Sequence, residues 1–212
     1  MVSRHQSMYA NAPEYAGDPL RFSDRLLAWL TEAGEPVAAE HGLSLLDHSL
    51  QTAELARREN APNHEVVTAL LHDTGKILLE HQGPDAASAA PRCSEKIGAA
   101  WLARYFPPAI SEPVRLHQIA KRWLFALDKG YRDRLSDEAF RALAELGGPM
   151  GEKERQQFER HESWSAAVAL ARRDDMSRMP LANRRSGIQD YRQAVANCLS
   201  PQSSMQISSR VA

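Results

Sequence analysis

Five residues that could bind a metal ion fall on otherwise apolar faces of segments with helical periodicity. They are His48, His72, Asp73, His117 and Asp174. Burying an imidazole beside a carboxylate is costly unless something compensates the pair. Histidines and carboxylates that converge between helices are a common metal site of helical bundles. Nitrogen and oxygen ligands in this mixture suit iron, manganese, zinc or a similar divalent ion.

Each of these residues also has an ordinary structural explanation. A single histidine on an apolar face is usually a hydrogen-bonded core residue. Asp174, however, is expected at the end of a helix, where the negative end of the dipole disfavours a carboxylate unless a cation is close. The order His48, His72-Asp73, Asp174 on separate helices therefore favours a metal site over unrelated core residues.

Two lysines follow candidate ligands by one helical turn. Lys76 comes after His72 and Lys121 after His117, so the members of each pair share a helix face. An ammonium group beside a metal would hold an anionic oxygen, such as that of a phosphoryl or phosphonyl group. The alternatives are a surface lysine with a buried stem for Lys121 and a helix face that ends near solvent for Lys76.

The elements that must position these residues are helices. The apolar residues follow a helical period over nearly all of residues 18–199, and no period-2 strand of useful length is present. Helix starts are predicted at Asp18-Pro19, at Asn63 and at four serines, namely Ser44, Ser94, Ser111 and Ser136. The run EVVTALLHDTGKILLE is predicted to form one mostly buried helix. The fold class predicted is all-α, a single bundle of about eight or nine helices.

Three segments lack this periodicity. Residues 1–17 and 200–212 are polar and are predicted to be flexible tails on either side of a domain at residues 18–199. Residues 80–93, EHQGPDAASAAPRC, are predicted to form a long loop between helices. Such a loop serves either as a lid over a site or as a mobile connection.

The composition is that of one globular domain. The 212 residues are 43% hydrophobic and 25% charged, with 26 basic and 27 acidic side chains. Because neither sign forms a long run, no nucleic-acid or anionic-membrane surface is predicted. Two cysteines, Cys93 and Cys198, disfavour a disulfide framework. Without a secretory signal or an apolar stretch of membrane-spanning length, the sequence predicts a cytoplasmic protein.

The motifs resemble a known superfamily. His48, the His-Asp pair at 72–73 and Asp174 match the HD-domain superfamily of metal-dependent phosphohydrolases. The further motifs EKIGAAWL, VRLHQIAKRWL, GGPM, FE and RRDD resemble the HD-domain diiron oxygenases of organophosphonate breakdown, which are relatives of myo-inositol oxygenase. The resemblance extends from about residue 44 to residue 199.

This resemblance implies a mechanism. Asp73 would bridge two irons (Fe), with His48, His72 and Asp174 on one and His117 on the other, while Lys121 would contact the phosphonate. The family uses a mixed-valent iron pair and dioxygen to attack the hydrogen on the hydroxylated carbon of a 1-hydroxyphosphonate. Cleavage of the carbon–phosphorus bond then gives a carboxylate and inorganic phosphate.

The sequence departs from the family pattern at four positions. Ser94 stands where the family has a histidine ligand of the second iron, immediately before the EKIGA motif. Ala139 stands in place of a phosphonate-contacting serine, and Ala171 in place of an arginine three residues before the last aspartate. Leu146 stands in place of a glutamine before GGPM.

Other features of the family are displaced. A Tyr-x-Gly-Glu lid motif precedes the first ligand histidine in these oxygenases. Here Glu35 lies thirteen residues before His48, in a segment without tyrosine. His81 and Cys93, in the 80–93 segment, are the candidates to replace the missing second-iron ligand.

Three functions are consistent with these observations. The first is an iron oxygenase of the phosphonate type with an altered substrate preference. The second is a mononuclear phosphohydrolase of a small phosphate ester, which is motivated by the complete first metal site, Lys76 and the missing ligand at Ser94. The third is a divergent metal-binding protein without turnover, which the alanines at 139 and 171 suggest.

Overall fold

The structure is a computed structural model that describes residues 12–82, 90–181 and 186–200. Its helices are α1 (Pro19–Gly34), α2 (Leu45–Arg58), α3 (Asn63–Leu71), α4 (Thr74–Glu80), α5 (Ala90–Leu102), α6 (Pro108–Leu127), α7 (Asp137–Glu145), α8 (Glu152–Glu159), α9 (Trp164–Met176) and α10 (Arg192–Asn197). Within the described ranges, the only extended pairing is an isolated bridge between Ala38 and Ser44. The predicted all-α fold is confirmed.

Side-chain caps fix several of the predicted helix starts. The Asp18 side chain accepts hydrogen bonds from backbone amides in the first turn of α1. The hydroxyl group of Ser44 accepts one from the amide of Asp47 in α2, and that of Ser136 accepts one from the amide of Ala139 in α7. Two other predicted starts are wrong. α5 already begins at Ala90, so Ser94 is an interior residue rather than a cap, and α6 begins at Pro108 instead of after Ser111. Proline is pre-shaped for the first turn of a helix, which explains the early start of α6.

The His-Asp run forms two helices where the sequence predicts one. α3 ends at Leu71 and α4 begins at Thr74, with His72 and Asp73 in the turn between them. Asp73 has φ −93° and ψ 9°, and its backbone carbonyl accepts hydrogen bonds from the amides of Lys76 and Ile77. The Asp73 side chain makes no cap hydrogen bond to the helix it precedes. The break therefore leaves this carboxylate for the interior of the bundle.

Two hydrophobic clusters surround the place where the site forms. The larger one joins α1, α2, α3 and α5 around fully buried residues such as Phe22, Leu70 and Trp101. The smaller one joins the second half of α6 to α9 through residues such as Leu124 and Ala167. α6 packs on α3, α5 and α9, so it lies between the two clusters.

A close approach of two glycines joins α4 to α5. A Cβ atom built on Gly75 would lie 1.8 Å from the backbone oxygen of Ser94 and 2.8 Å from the backbone nitrogen of Gly98. A Cβ on Gly98 would lie 2.9 Å from the nitrogen of Gly75. Only glycine allows the two backbones to come this close. The contact holds the backbone of Ser94 against the start of α4.

The predictions for the tails and for the 80–93 loop can be compared with the structure only in part. Residues 1–11, 83–89 and 201–212 lie outside the described residues. Glu80 belongs to α4 and residues 90–93 belong to α5, so the ends of the predicted 80–93 loop are helical. Ala12 and Tyr15 pack against the larger cluster, while the domain limits at 18 and 199 stay a prediction. No helix in the described ranges has both the length and the apolar character needed to cross a membrane.

Candidate metal centre

The five predicted ligand residues come together inside the bundle. His48 comes from α2, His72 and Asp73 from the turn between α3 and α4, His117 from α6, and Asp174 from α9. Each is at most 4% exposed. One ligand atom from each of His48, His72 and Asp73 lies within 4.8 Å of the others. The predicted convergence is thus observed, while the assignment of each residue as a ligand stays a prediction.

The donor atoms face one another at short range. His48 Nε2 lies 3.0 Å from Asp174 Oδ1, 3.3 Å from His72 Nε2 and 3.8 Å from Asp73 Oδ2. His72 Nε2 lies 3.5 Å from Asp73 Oδ2. Two imidazole nitrogens and two carboxylate oxygens therefore surround one point between three segments of the chain.

Backbone carbonyls fix two of the imidazoles. His72 Nδ1 lies 2.8 Å from Ala69 O, and His117 Nδ1 lies 2.7 Å from Val114 O. A carbonyl can only accept, so in each ring the Nδ1–H donates and a neutral ring then presents the Nε2 lone pair. Burial lowers the pKa of His72 to about 4, although the nearby Asp73 acts in the opposite direction. The imidazole of His72 is therefore neutral near pH 7. Such an orienting hydrogen bond is typical of metal-binding histidines.

His117 lies beside the other four residues. Its Nε2 is 3.9 Å from Asp174 Oδ2, and its ring meets that of His72 edge-on at a centroid distance of 5.7 Å. The side-chain amide of Gln118 lies 3.3 Å from the same Nε2. His117 Nε2 and Asp174 Oδ2 are therefore close enough for one ion to contact both side chains.

Both predicted lysines pair with the carboxylates of the group. Lys121 Nζ lies 2.7 Å from Asp174 Oδ2, and Lys76 Nζ lies 2.9 Å from Asp73 Oδ1. Lys121 is 5% exposed, so the alternative of a surface lysine is wrong for this residue. Burial lowers the pKa of each lysine, but the facing carboxylates raise it above the ordinary value. Both ammonium groups are therefore charged.

The carboxylates are held in their ionised form. Burial raises the pKa of Asp73 and Asp174, but the surrounding charges outweigh this effect. His72 and Lys76 lower the pKa of Asp73, and Lys121 and His48 lower that of Asp174. Both residues can therefore serve as anionic ligands at neutral pH.

The group fits a divalent cation by the chemistry of its donors. Asp73 Oδ2 is buried and has no hydrogen-bond partner among the described residues, which is costly for a carboxylate oxygen. It faces the Nε2 atoms of His48 and His72, which lie too close together to be left without a proton or a cation between them. A bound divalent ion would satisfy all three atoms at once.

A second layer of residues was not predicted. Asp175 Oδ1 lies 2.9 Å from Lys121 Nζ and 3.4 Å from Arg178 Nε, and its Oδ2 accepts a hydrogen bond from the hydroxyl group of Tyr131. In the sequence, Asp175 is the second aspartate of RRDD, and Arg178 follows it by nearly one turn. That spacing is the signal by which Arg178 could have been found.

A cavity of about 680 Å³ opens on the group. His48, Asp73, Lys76, Lys121 and Asp174 contribute to its wall. The lining also includes three of the four positions that depart from the family pattern, namely Ser94, Ala139 and Leu146. The fourth, Ala171, is fully buried in the smaller hydrophobic cluster.

The proposed replacements for the missing histidine find little support. His81 is exposed at the end of α4, and its Nδ1 lies 3.0 Å from the carbonyl oxygen of Ile77. The structure therefore does not bring His81 to the metal group. The side chain of Cys93 lies outside the described residues. The hydroxyl group of Ser94 lies 3.0 Å from Glu95 Oε1.

Comparison with known proteins agrees with the geometry. Residues 45–196 match the HD domain family. The chain is 34% identical over 161 residues to hydroxymethylphosphonate dioxygenase of Gimesia maris. The aligned region covers 76% of this chain and 80% of the relative. The chain is also 34% identical over 142 residues to the glycine-betaine-forming 1-hydroxy-2-(trimethylamino)ethyl phosphonate dioxygenase of Leisingera caerulea, with coverages of 67% and 69%. The chain belongs to the HD-domain family and is related within it to phosphonate dioxygenases.

Proposed function

We propose that the chain is a metal-dependent dioxygenase that cleaves the carbon–phosphorus bond of a small 1-hydroxyphosphonate. The products are a carboxylate and inorganic phosphate. One dioxygen molecule balances the reaction, because it takes four electrons from the substrate and its two atoms account for the added oxygen. The relatives support this activity by their names. The observation that carries it is the pairing of buried Lys121 with Asp174 beside the His48–His72–Asp73 group.

The metal we propose is iron. His48, His72, Asp73 and Asp174 would hold one ion, and His117 would contribute to a second that shares a carboxylate with the first. Iron held by these residues would supply coordination of the substrate oxygens and activation of dioxygen. Because Ser94 stands where the resemblance implies a histidine, we propose that the second ion is held more weakly than the first.

The residues of the chain bind and orient the substrate. Lys121 and Lys76 line the cavity beside the carboxylates, where their charges attract the phosphonate oxygens. The backbone carbonyls of Ala69 and Val114 hold the Nδ1 protons of His72 and His117, so that the Nε2 atoms of both rings face the carboxylates. Asp73 and Asp174 stay ionised because the charges around them lower their pKa. The substrate therefore meets a cationic wall next to a fixed set of ligand atoms.

The part of the cavity lining contributed by α7 and its neighbouring residues has a different character. Leu135, Ala139, Ala142, Leu143 and Leu146, on and around α7, give it an apolar surface. The cavity is larger than a phosphonate group alone requires and has the volume of a pocket for a larger organic ligand. We propose that the carbon substituent of the 1-hydroxyphosphonate lies along this wall.

The proposed activity can be tested with protein purified without oxygen and reconstituted with Fe²⁺. Hydroxymethylphosphonate is added with and without dioxygen, and phosphate and formate are measured. We expect equal amounts of both products only when dioxygen is present, and none from the variant His72→Gln. Release of phosphate from generic phosphate esters without dioxygen would instead favour the phosphohydrolase. A protein that binds iron without producing phosphate from either class would be a non-catalytic relative.

The cellular and partner assignments remain predictions. A cytoplasmic location, and the expectation that neither nucleic acid nor a membrane surface is bound, rest on the composition of the sequence. The proposed small-molecule partners are the anionic phosphonate and dioxygen.

A further inference from the structure

The carboxylate of Asp175 links two cations of the cavity wall. Its Oδ1 contacts Lys121 Nζ at 2.9 Å and Arg178 Nε at 3.4 Å. The Asp175 side chain is 15% exposed, so this contact is largely shielded from water. Both Lys121 and Arg178 line the cavity. One carboxylate therefore holds an ammonium and a guanidinium group on the same wall.

Tyr131 fixes the other oxygen of this carboxylate. Its hydroxyl group donates a hydrogen bond to Asp175 Oδ2, and the residue is 3% exposed. Burial and the nearby Asp175 raise the pKa of Tyr131, so the phenol keeps its proton and remains a donor. With both oxygens engaged, the Asp175 carboxylate is restricted in rotation. The positions of Lys121 and Arg178 are restricted with it.

We infer that Lys121 and Arg178 together form the subsite for the phosphonate group, and that Asp175 and Tyr131 are residues that position these two cations. The inference rests on the proposed function and adds Arg178 to the residues that contact substrate. Arginine has five N–H donors in a planar fork that matches the oxygens of a phosphonate. Its Nε forms an ion pair with Asp175 Oδ1 at 3.4 Å, which keeps the guanidinium group at the cavity lining. Lys121 supplies a second positive charge close to Asp174.

The competing explanation is that Arg178 only stabilises the end of α9 by pairing with Asp175. The two explanations predict different effects of replacing Arg178 with an uncharged residue. A purely structural arginine affects unfolding but leaves ligand affinity unchanged. A substrate-binding arginine affects the affinity for the anion, and lysine at the same position restores part of it because lysine keeps the charge without the fork.

The test measures binding of methylphosphonate, which lacks the 1-hydroxyl group that the reaction attacks. Calorimetry is performed on protein loaded with Fe²⁺ in the absence of oxygen, for the natural sequence and for Arg178→Gln and Arg178→Lys. Loss of a hydrogen bond to a charged group corresponds to about a 10- to 150-fold change in Kd. We expect Arg178→Gln to weaken binding within that range and Arg178→Lys to fall between this variant and the natural protein.

Arg172→Gln is the matched control. Arg172 lies on α9, its side chain is 47% exposed, and it pairs with Asp128. We expect its Kd to stay within about twofold of the natural value, since it lies outside the cavity lining. Tyr131→Phe should weaken methylphosphonate binding several-fold with unchanged iron content, because it frees the Asp175 carboxylate.

Two results separate the possible failures. If the natural protein binds methylphosphonate and Arg178→Gln binds it equally well, Arg178 is not part of the subsite and the inference is wrong. If the natural protein itself fails to bind methylphosphonate, the proposed phosphonate activity fails instead. Unfolding of each variant is followed in parallel, so that a misfolded Arg178→Gln is recognised and Arg178→Lys then decides the question by its affinity.

Discussion

The close approach of α4 to α5 makes Gly75 the position where a single methyl group should disturb both fold and site. In Gly75→Ala, the new Cβ would lie 1.8 Å from the carbonyl oxygen of Ser94, about 1.6 Å short of the 3.4 Å at which ordinary contact begins. The atoms it meets belong to the backbone of α5, so no side-chain rotation relieves the clash. The two helices must therefore move apart.

The expected cost follows from two opposing effects. Overpacking a well-packed interior costs about 1–3 kcal/mol, and a clash with backbone belongs at the upper end of that range. Alanine recovers at most about 1 kcal/mol over glycine in a helix, and Gly75 lies in the first turn of α4. The net loss in the free energy of unfolding is then about 2 kcal/mol, which lowers Tm by roughly 4–8 °C for a chain of this length.

Thermal and urea unfolding of Gly75→Ala measures this loss, with Gly34→Ala as the control. Gly34 is also a buried glycine in a helix, but a Cβ there would first meet the end of the Ile77 side chain at 3.3 Å, which can move. We expect Gly34→Ala to change Tm by less than half as much. Iron content should also fall in Gly75→Ala, since Asp73 lies two residues away. A Gly75→Ala protein as stable as the natural one would refute the packing described between α4 and α5.

Three further predictions concern the metal group and the cavity. Ser94→His should raise the number of iron ions bound per chain after anaerobic reconstitution, and the number should approach two if this ligand is all that the second site lacks. An unchanged number would show that Ser94 does not limit iron binding at the second site. The free energy of unfolding of metal-free protein should fall by up to about 3 kcal/mol between pH 6.5 and pH 4 through His72, because burial lowers its pKa to about 4 while the unfolded chain takes up a proton near 6.5. The raised pKa of His48 acts in the opposite sense, so urea titrations of His72→Gln, which should show a flatter dependence on pH, isolate the contribution of His72. Among 1-hydroxyalkylphosphonates, kcat/KM should rise about fourfold for each methylene group buried against the α7 residues of the cavity. Ala139→Leu should abolish this increase, whereas the control Ala144→Leu should leave it unchanged. Equal kcat/KM values along the series would contradict an apolar site for the substituent.

The sequence was sufficient for the fold class and for the convergence of the ligand residues, for a physical reason. Helical periodicity identifies the buried faces, and polar residues on those faces must meet other polar residues in the core. His48, His72, Asp73, His117 and Asp174 satisfy this requirement together. Lys121 was identified by its spacing of one helical turn from His117, and its ammonium group pairs with Asp174 inside the bundle.

The features that the sequence did not reveal depend on local backbone geometry and on long-range contacts. The apolar run through His72 and Asp73 has an unbroken helical period, so periodicity alone could not show that the helix ends at Leu71. The serine before EKIGA has the chemistry of a cap, but α5 extends beyond it towards Ala90. The contact between Tyr131 and Asp175 joins segments distant in the sequence, so the RRDD motif alone could not show which residue its second aspartate meets.

The four departures from the family pattern are not equivalent once they are placed in the structure. Ala171 is fully buried among apolar residues of the smaller cluster, so replacing it with a charged residue would require repacking of that core. Ala139 and Leu146 lie on the apolar wall of the cavity, where they affect what can pack against a substrate rather than how a metal is held. Of the four, only Ser94 stands where the resemblance implies a metal ligand. Arg178 lies in the cavity lining and Ala171 does not, so the proposed phosphonate subsite uses an arginine at a different position from the one that the resemblance implies.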